Sequence, residues 1–234
     1  VQWVSGTKES SSQSFTGLWD PFDARPLSKS EKRFIQAGLA LGGYYSGMID
    51  GEWGRGSQSS IEKFSRSKFG REPQNSDAAL ISIDFLSGID SDGWEQEVIA
   101  ALGVGFLLPS KKMHPSDDGT TYKWRHLEKD LFVVANDLKA SGLLEVHQYL
   151  EQQSDNGREP YKVREGDLWV TSSRNDGQIY YGRSDLIEGS WSTVVVTSNT
   201  ESEGDLNLIA SSISDQRLGQ LIPDSKGVLM QNTM

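Results

Sequence analysis

Apolar residues along the chain change their texture near residue 102. Before it the spacing is helical. Phe34, Ile35, Leu39 and Leu41 give one apolar face and predict a first helix, opened by the capping-box pair Ser28 and Glu31 and stopped by Gly42-Gly43. A second helix is expected from Ser57, with Ile61 and Phe64 on its inner side, ending near Gly70. A third is expected from Ser76, presenting Leu80, Ile83 and Leu86, and a short fourth from Trp94 to Leu102.

After Leu102 the runs shorten and read as strands: Gly103 to Leu108, Thr121 to Arg125, Leu131 to Ala135, Leu168 to Ser172, Gln178 to Arg183 and Ser192 to Thr197. The turn signal Asn175-Asp176-Gly177 separates two of them. Helices are expected over Leu138 to Gln153 and Asp205 to Leu218, the latter with Leu206, Ile209 and Ile213 inward. Meandering strands with two separated helices predict an antiparallel sheet covered by helices, hence an α+β fold. The expected divisions are an arm or linker over 1–27, a helical domain over 28–97, an α+β domain over 98–222 and a tail over 223–234. In the Ser- and Gly-rich arm, Trp3, Phe15, Trp19 and Phe22 are expected in part to dock on a folded surface, because exposing all four would waste apolar area.

A length of 234 residues suits one small and one medium core, and 35% hydrophobic residues supply enough apolar surface to bury both. The formal charge of -10 would repel a phosphate polyanion and argues against nucleic acid as a partner. It is unevenly spread: seven Lys/Arg face four Asp/Glu over 29–70, against sixteen and twenty-nine elsewhere. No apolar stretch nears the roughly 20 residues that span a bilayer, and the first residues lack the regions of a signal peptide. A start at Val1 is compatible with a form processed after export. Cysteine is absent, which removes disulfide and thiol chemistry.

From Phe34 to Phe64 the chain reads FIQAGLALGGYYSGMIDGEWGRGSQSSIEKF. Ile35-Gln36, Gly43-Tyr44-Tyr45, Gly47, Ile49-Asp50-Gly51, Trp53-Gly54, Ser57 and Phe64 together resemble the three-helix peptidoglycan-binding domain; Ser65 stands where that family usually has Gln, and the motif is lost beyond Gly70. Gly47, Gly51 and Gly54 are expected where the interhelical loop needs positive φ or close backbone approach. Asp50 can fold onto backbone N–H groups as an Asx turn. Tyr44, Tyr45 and Trp53 carry flat faces suited to sugar rings, with one of the three expected in the core instead. The resemblance implies a shallow groove beside the loop for a glycan or stem peptide, with Tyr45, Asp50, Trp53 and Arg55 as contacts and Tyr44 in the same aromatic set. Between the aromatics, Trp53 is expected to serve the ligand and Tyr44 to pack inward.

A first strand ending in Leu108-Pro109, a central helix, the strand pair around Gly166-Asp167-Leu168-Trp169-Val170 and Ile179-Tyr180-Tyr181, and a last helix containing Ile209-Ala210-Ser211-Ser212-Ile213 make residues 103 to 218 resemble, in element order, the PsbP-type α/β/α sandwich, which implies a non-catalytic domain that docks on a protein partner. No residue of the chain stands out as catalytic by its spacing. His114, His126 and His147 lack H-x-H or H-E-x-x-H spacing, G-x-S-x-G is absent, and acidic pairs are too many to choose among. His147 is expected as a partly exposed surface residue on its helix. The chain is therefore expected to be a periplasmic or secreted cell-envelope protein that binds peptidoglycan and a protein partner, with no cofactor or metal. The alternatives are a wall-remodelling hydrolase whose site forms only in three dimensions, or a secreted assembly protein whose wall module serves self-association.

Overall fold

Ser28 opens the first helix as its spacing predicts. In the computed structural model, which describes residues 15–155 and 157–213, its side chain accepts from the Glu31 N–H while the Glu31 carboxylate accepts from the Ser28 N–H. Helix α1 (Lys29–Leu41) buries Phe34, Ile35 and Leu39 and ends at Gly42. Helix α2 (Arg55–Phe69) starts two residues before Ser57, which lies buried inside it rather than capping it, and ends on left-handed Gly70. Helix α3 (Asn75–Asp92) turns Ala78, Ile81, Ser82 and Phe85 inward and leaves Ile83, expected inside, 48% exposed. The inner stripe is set by α1, where Gly38 leaves room for Ile81; a Cβ there would lie 2.6 Å from the isoleucine methyl.

The expected fourth helix is a strand. Gly93 ends α3 in the left-handed region, and β1 (Trp94–Ile99) pairs antiparallel with β2 (Val104–Pro109) over its whole length. The apolar run of β2 offers a complete ladder, which outweighs the helical preference of the Glu-rich segment.

Seven further strands form one antiparallel sheet: β3 (Met113–Asp117), β4 (Thr121–His126), β5 (Leu131–Leu138), β6 (Tyr161–Glu165), β7 (Leu168–Asn175), β8 (Gln178–Ile187) and β9 (Ser190–Asn199). Their order is β3-β4-β5-β9-β8-β7-β6. The edge strands β3 and β6, MHPSD and YKVRE, hold only two apolar positions each, too few for the sequence to predict them. Asp176 and Gly177 both take positive φ in the two-residue turn joining β7 to β8.

Helices lie against both faces of this sheet. One face carries Trp124, Val133, Ala135, Val194, Val196 and Ile179 into a hydrophobic cluster shared with α1, α3, β2 and helix α5 (Glu203–Ser212). The expected inward residues Leu206, Ile209 and Ile213 of the closing helix are all buried there; its expected continuation past residue 213 lies outside the described residues. The other face receives helix α4 (Ala140–Gln152), whose Leu150 presses onto Gly182 of β8. Helices α1 and α5 meet almost backbone to backbone, since a Cβ on Gly204 would lie 2.1 Å from the Ala40 carbonyl oxygen. Arg33 of α1 reinforces this seam by donating to the Ile49 carbonyl at 3.2 Å and to the Ser211 carbonyl near the end of α5. The fold is thus α+β, with an antiparallel sheet and helices on both sides. Among the described residues, no helix is long and apolar enough to cross a membrane.

Candidate functional site

The loop between α1 and α2 is organised by Gln36, fully buried on α1. Its Oε1 accepts from the Gly51 N–H at 2.8 Å, and its Nε2 donates to the Glu52 carbonyl and to Ser57 Oγ, each at 3.0 Å. Every polar atom of the amide therefore has a partner, as burial demands. Gly51 has φ +79°, and a Cβ there would meet the Lys29 carbonyl at 2.4 Å. Gly47 lies against Tyr45, whose hydroxyl oxygen a Cβ would approach to 2.6 Å and whose ring to 2.7 Å. Gly54 meets neither expectation: its φ is -104° and nothing lies near its missing Cβ.

The five residues singled out from sequence do not converge on one cleft. Tyr44 packs edge-on against Phe64 at 5.3 Å. Tyr45 donates its hydroxyl to the Met48 carbonyl at 2.8 Å. Asp50 closes the anticipated Asx turn by accepting from the Glu52 N–H at 2.9 Å. Trp53 donates Nε1 to Gln58 Oε1 at 3.1 Å, and its ring is met by Phe22 of the arm at 5.2 Å. Arg55, first in α2, is exposed. Of the arm's other aromatics, Trp19 is 67% exposed, whereas Trp3 and the Phe15 side chain lie outside the described residues.

A groove of about 510 Å³ opens on the other side of the same loop. One wall is loop residues Ser46 to Asp50, a second is α5 through Leu206, Asn207 and Ala210, and the base is the sheet surface of β6, β7 and β8. Tyr161, Val163, Leu168, Val170, Ile179 and Tyr181 make that base largely apolar, and burial pushes the Tyr181 hydroxyl up to about 12, so it stays protonated. Arg174 is held by Glu203, and Arg183 by Asp185 at 2.8 Å. Two buried polar atoms on the lining, Asn207 Nδ2 and Ser154 Oγ, have no hydrogen-bond partner among the described residues. A volume in the ligand range, an apolar base and unspent polar atoms are the properties of a small-molecule or peptide site. Sequence reading reached Asp50 alone of these residues. The alternation of Ile179, Tyr181 and Arg183 along β8 carried the missing signal, but without β6 the apolar base had no second side.

His147 is corrected from surface to interior: it is fully buried beneath α4. Nδ1 and Nε2 lie 2.8 Å from Thr171 Oγ1 and 2.9 Å from Ser184 Oγ, and Ser184 continues to Thr193 at 2.8 Å. Trp169 meets the ring edge-on at 5.5 Å. Burial, aided by the charge of nearby Arg164, depresses its pKa to about 4, so the ring is neutral at pH 7. This closed network ties α4 to the sheet and does not open on the groove described above. His126 Nδ1 accepts from the Glu128 and Lys129 N–H groups, and His114 is exposed. Among the described residues, no three His, Cys, Asp or Glu side chains are grouped to hold a metal ion. The chain matches no protein-family profile and none of the curated proteins.

Proposed function

We propose that the protein is a non-catalytic binding protein of the bacterial cell envelope, periplasmic or secreted, that takes a fragment of peptidoglycan in the groove between the α1–α2 loop and the sheet. The observation that carries this reading is that the loop with the peptidoglycan-binding pattern forms one wall of a 510 Å³ groove. An apolar base suits the methyl groups and ring faces of such a fragment, and Asn207 Nδ2, without a partner among the described residues, suits its carbonyls. The nearby carboxylates Glu203 and Asp185 are each held by an arginine, which favours a binding rim over acid–base work. A protein partner is proposed for the α4 side, where Leu144 and Tyr149 are 47% and 57% exposed.

Co-sedimentation with insoluble peptidoglycan tests the reading. Wild-type protein is expected in the pellet above a wall-free control, with no soluble fragments released from labelled wall. Ala210→Trp, which fills the groove from α5, is expected to stay in the supernatant while keeping its circular dichroism spectrum. Wild-type protein that pellets no better than the control rejects wall binding, and Ala210→Trp that pellets normally removes the groove from it.

A further inference from the structure

A second cavity, of about 380 Å³, lies at the opposite end of the core-bearing sheet face, between the β1–β2 hairpin and strands β3 and β4. On β1, Glu95, Glu97 and Ile99 alternate onto one side, in register with Leu108, Phe106 and Val104 of β2. Those three β2 residues are buried, as is Ile99. Of the two carboxylates on this side, Glu95 accepts from Ser110 Oγ at 3.0 Å, whereas Glu97 is set between the apolar residues and lines the cavity. It has no hydrogen bond or ion pair among the described residues, and burial alone raises its pKa. A half-buried carboxylate without a partner is unfavourable, and a cation brought beside it removes that deficit.

Facing it, Tyr122 and Trp124 project from the same side of β4 with their rings 19° from parallel and 6.4 Å apart. Phe106 meets Trp124 edge-on at 5.4 Å and steadies it. Met113 and Pro115 complete the apolar walls, and Asp117 adds negative charge at the rim. Lys123, the cation on the lining, is engaged by Asp118 at 3.2 Å. Aromatic faces attract cations through their quadrupole, most strongly where water is excluded. We propose that this cavity binds an alkylammonium group, with Glu97 as its counter-ion and Tyr122 and Trp124 as its aromatic wall. Neither the wall-binding loop nor the larger groove takes part, so the site stands or falls independently of the function proposed above.

The test is a titration of the full chain, ¹⁵N-labelled at its tryptophan indoles, with n-butylammonium chloride at constant ionic strength. The Trp124 indole resonance is identified by its loss in Trp124→Phe. A saturable shift of that resonance is expected, with n-butanol, the uncharged analogue, binding about tenfold more weakly or worse. Glu97→Gln is expected to bring the amine down to the level of the alcohol. The proposal is overturned by the absence of a saturable shift, by n-butanol binding as tightly as the amine, or by undiminished amine binding in Glu97→Gln. The comparison of amine with alcohol uses wild-type protein and does not depend on how the variant folds.

Discussion

At the scale of single residues, two glycines of the α1–α2 loop look alike in sequence and differ in physics. Gly51 needs both its positive φ and its missing Cβ, so Gly51→Ala is expected to cost about 2 kcal/mol or more. Gly54 sits at the N-cap of α2 with extended backbone and no side-chain cap, so Gly54→Ser supplies an oxygen for a free N–H and is expected to gain a few tenths of a kcal/mol. Urea unfolding of the pair checks both signs. His147 makes a pH prediction. Its folded pKa, about 4, lies below the ordinary value of 6.5, so between these the unfolded chain binds more protons. The stability held by the neutral ring is complete above about pH 6.5 and falls as pH drops toward 4, by about 3 kcal/mol in all. Urea midpoints of wild type and His147→Gln should therefore differ most near pH 7 and converge toward pH 4; a constant gap would show that the ring is not the titrating group.

At the scale of elements, the arm and the α1–α2 loop are coupled through Phe22 and Trp53. The Phe22 N–H donates to the Pro73 carbonyl at 3.0 Å, which fixes the arm across the start of α3 and holds the ring on Trp53. Trp53, expected from the family resemblance to face a ligand, thus has a structural role, and Trp53→Ala is expected to lower the thermal midpoint. In a double-mutant cycle with Phe22→Ala the coupling should be about 0.5–1.5 kcal/mol. Additive losses would mean that the two rings merely adjoin.

What could be read from the sequence follows the same scale. Elements with a cap or a turn residue were legible: the Ser28–Glu31 box, the Gly70 stop and the Asp176-Gly177 hairpin each settle a boundary locally. Those decided by a distant partner were not. Strand β1 depends on β2, and edge strands β3 and β6 carry too few apolar residues to show a period. His147 misled because burial of a polar ring depends on Thr171 and Ser184, 24 and 37 residues away. In the loop, Asp50 was legible as a turn residue, whereas the groove beside it required the sheet to be folded.

At the scale of the whole molecule, one hydrophobic cluster runs from Phe34 of α1 through Leu206 of α5 to Trp124 and Val194 of the sheet. Because the described helices and strands share that cluster, heat should unfold them in one transition, with calorimetric and van't Hoff enthalpies in agreement. Gly204→Leu should shift that whole transition downward, since the side chain would force α5 off α1. Two separable transitions would instead assign α1 to α3 a stability of their own.

The close approach of α1 and α5 also bears on how the chain is made. The surface of α1 around Ala40 is finished only by Gly204, whose residues leave the ribosome more than 160 positions later. At about 5–20 residues per second, that leaves the face uncovered for roughly ten to thirty seconds. For that interval the newborn helices are an apolar surface awaiting its cover, which exposes the nascent chain to capture by chaperones before α5 arrives.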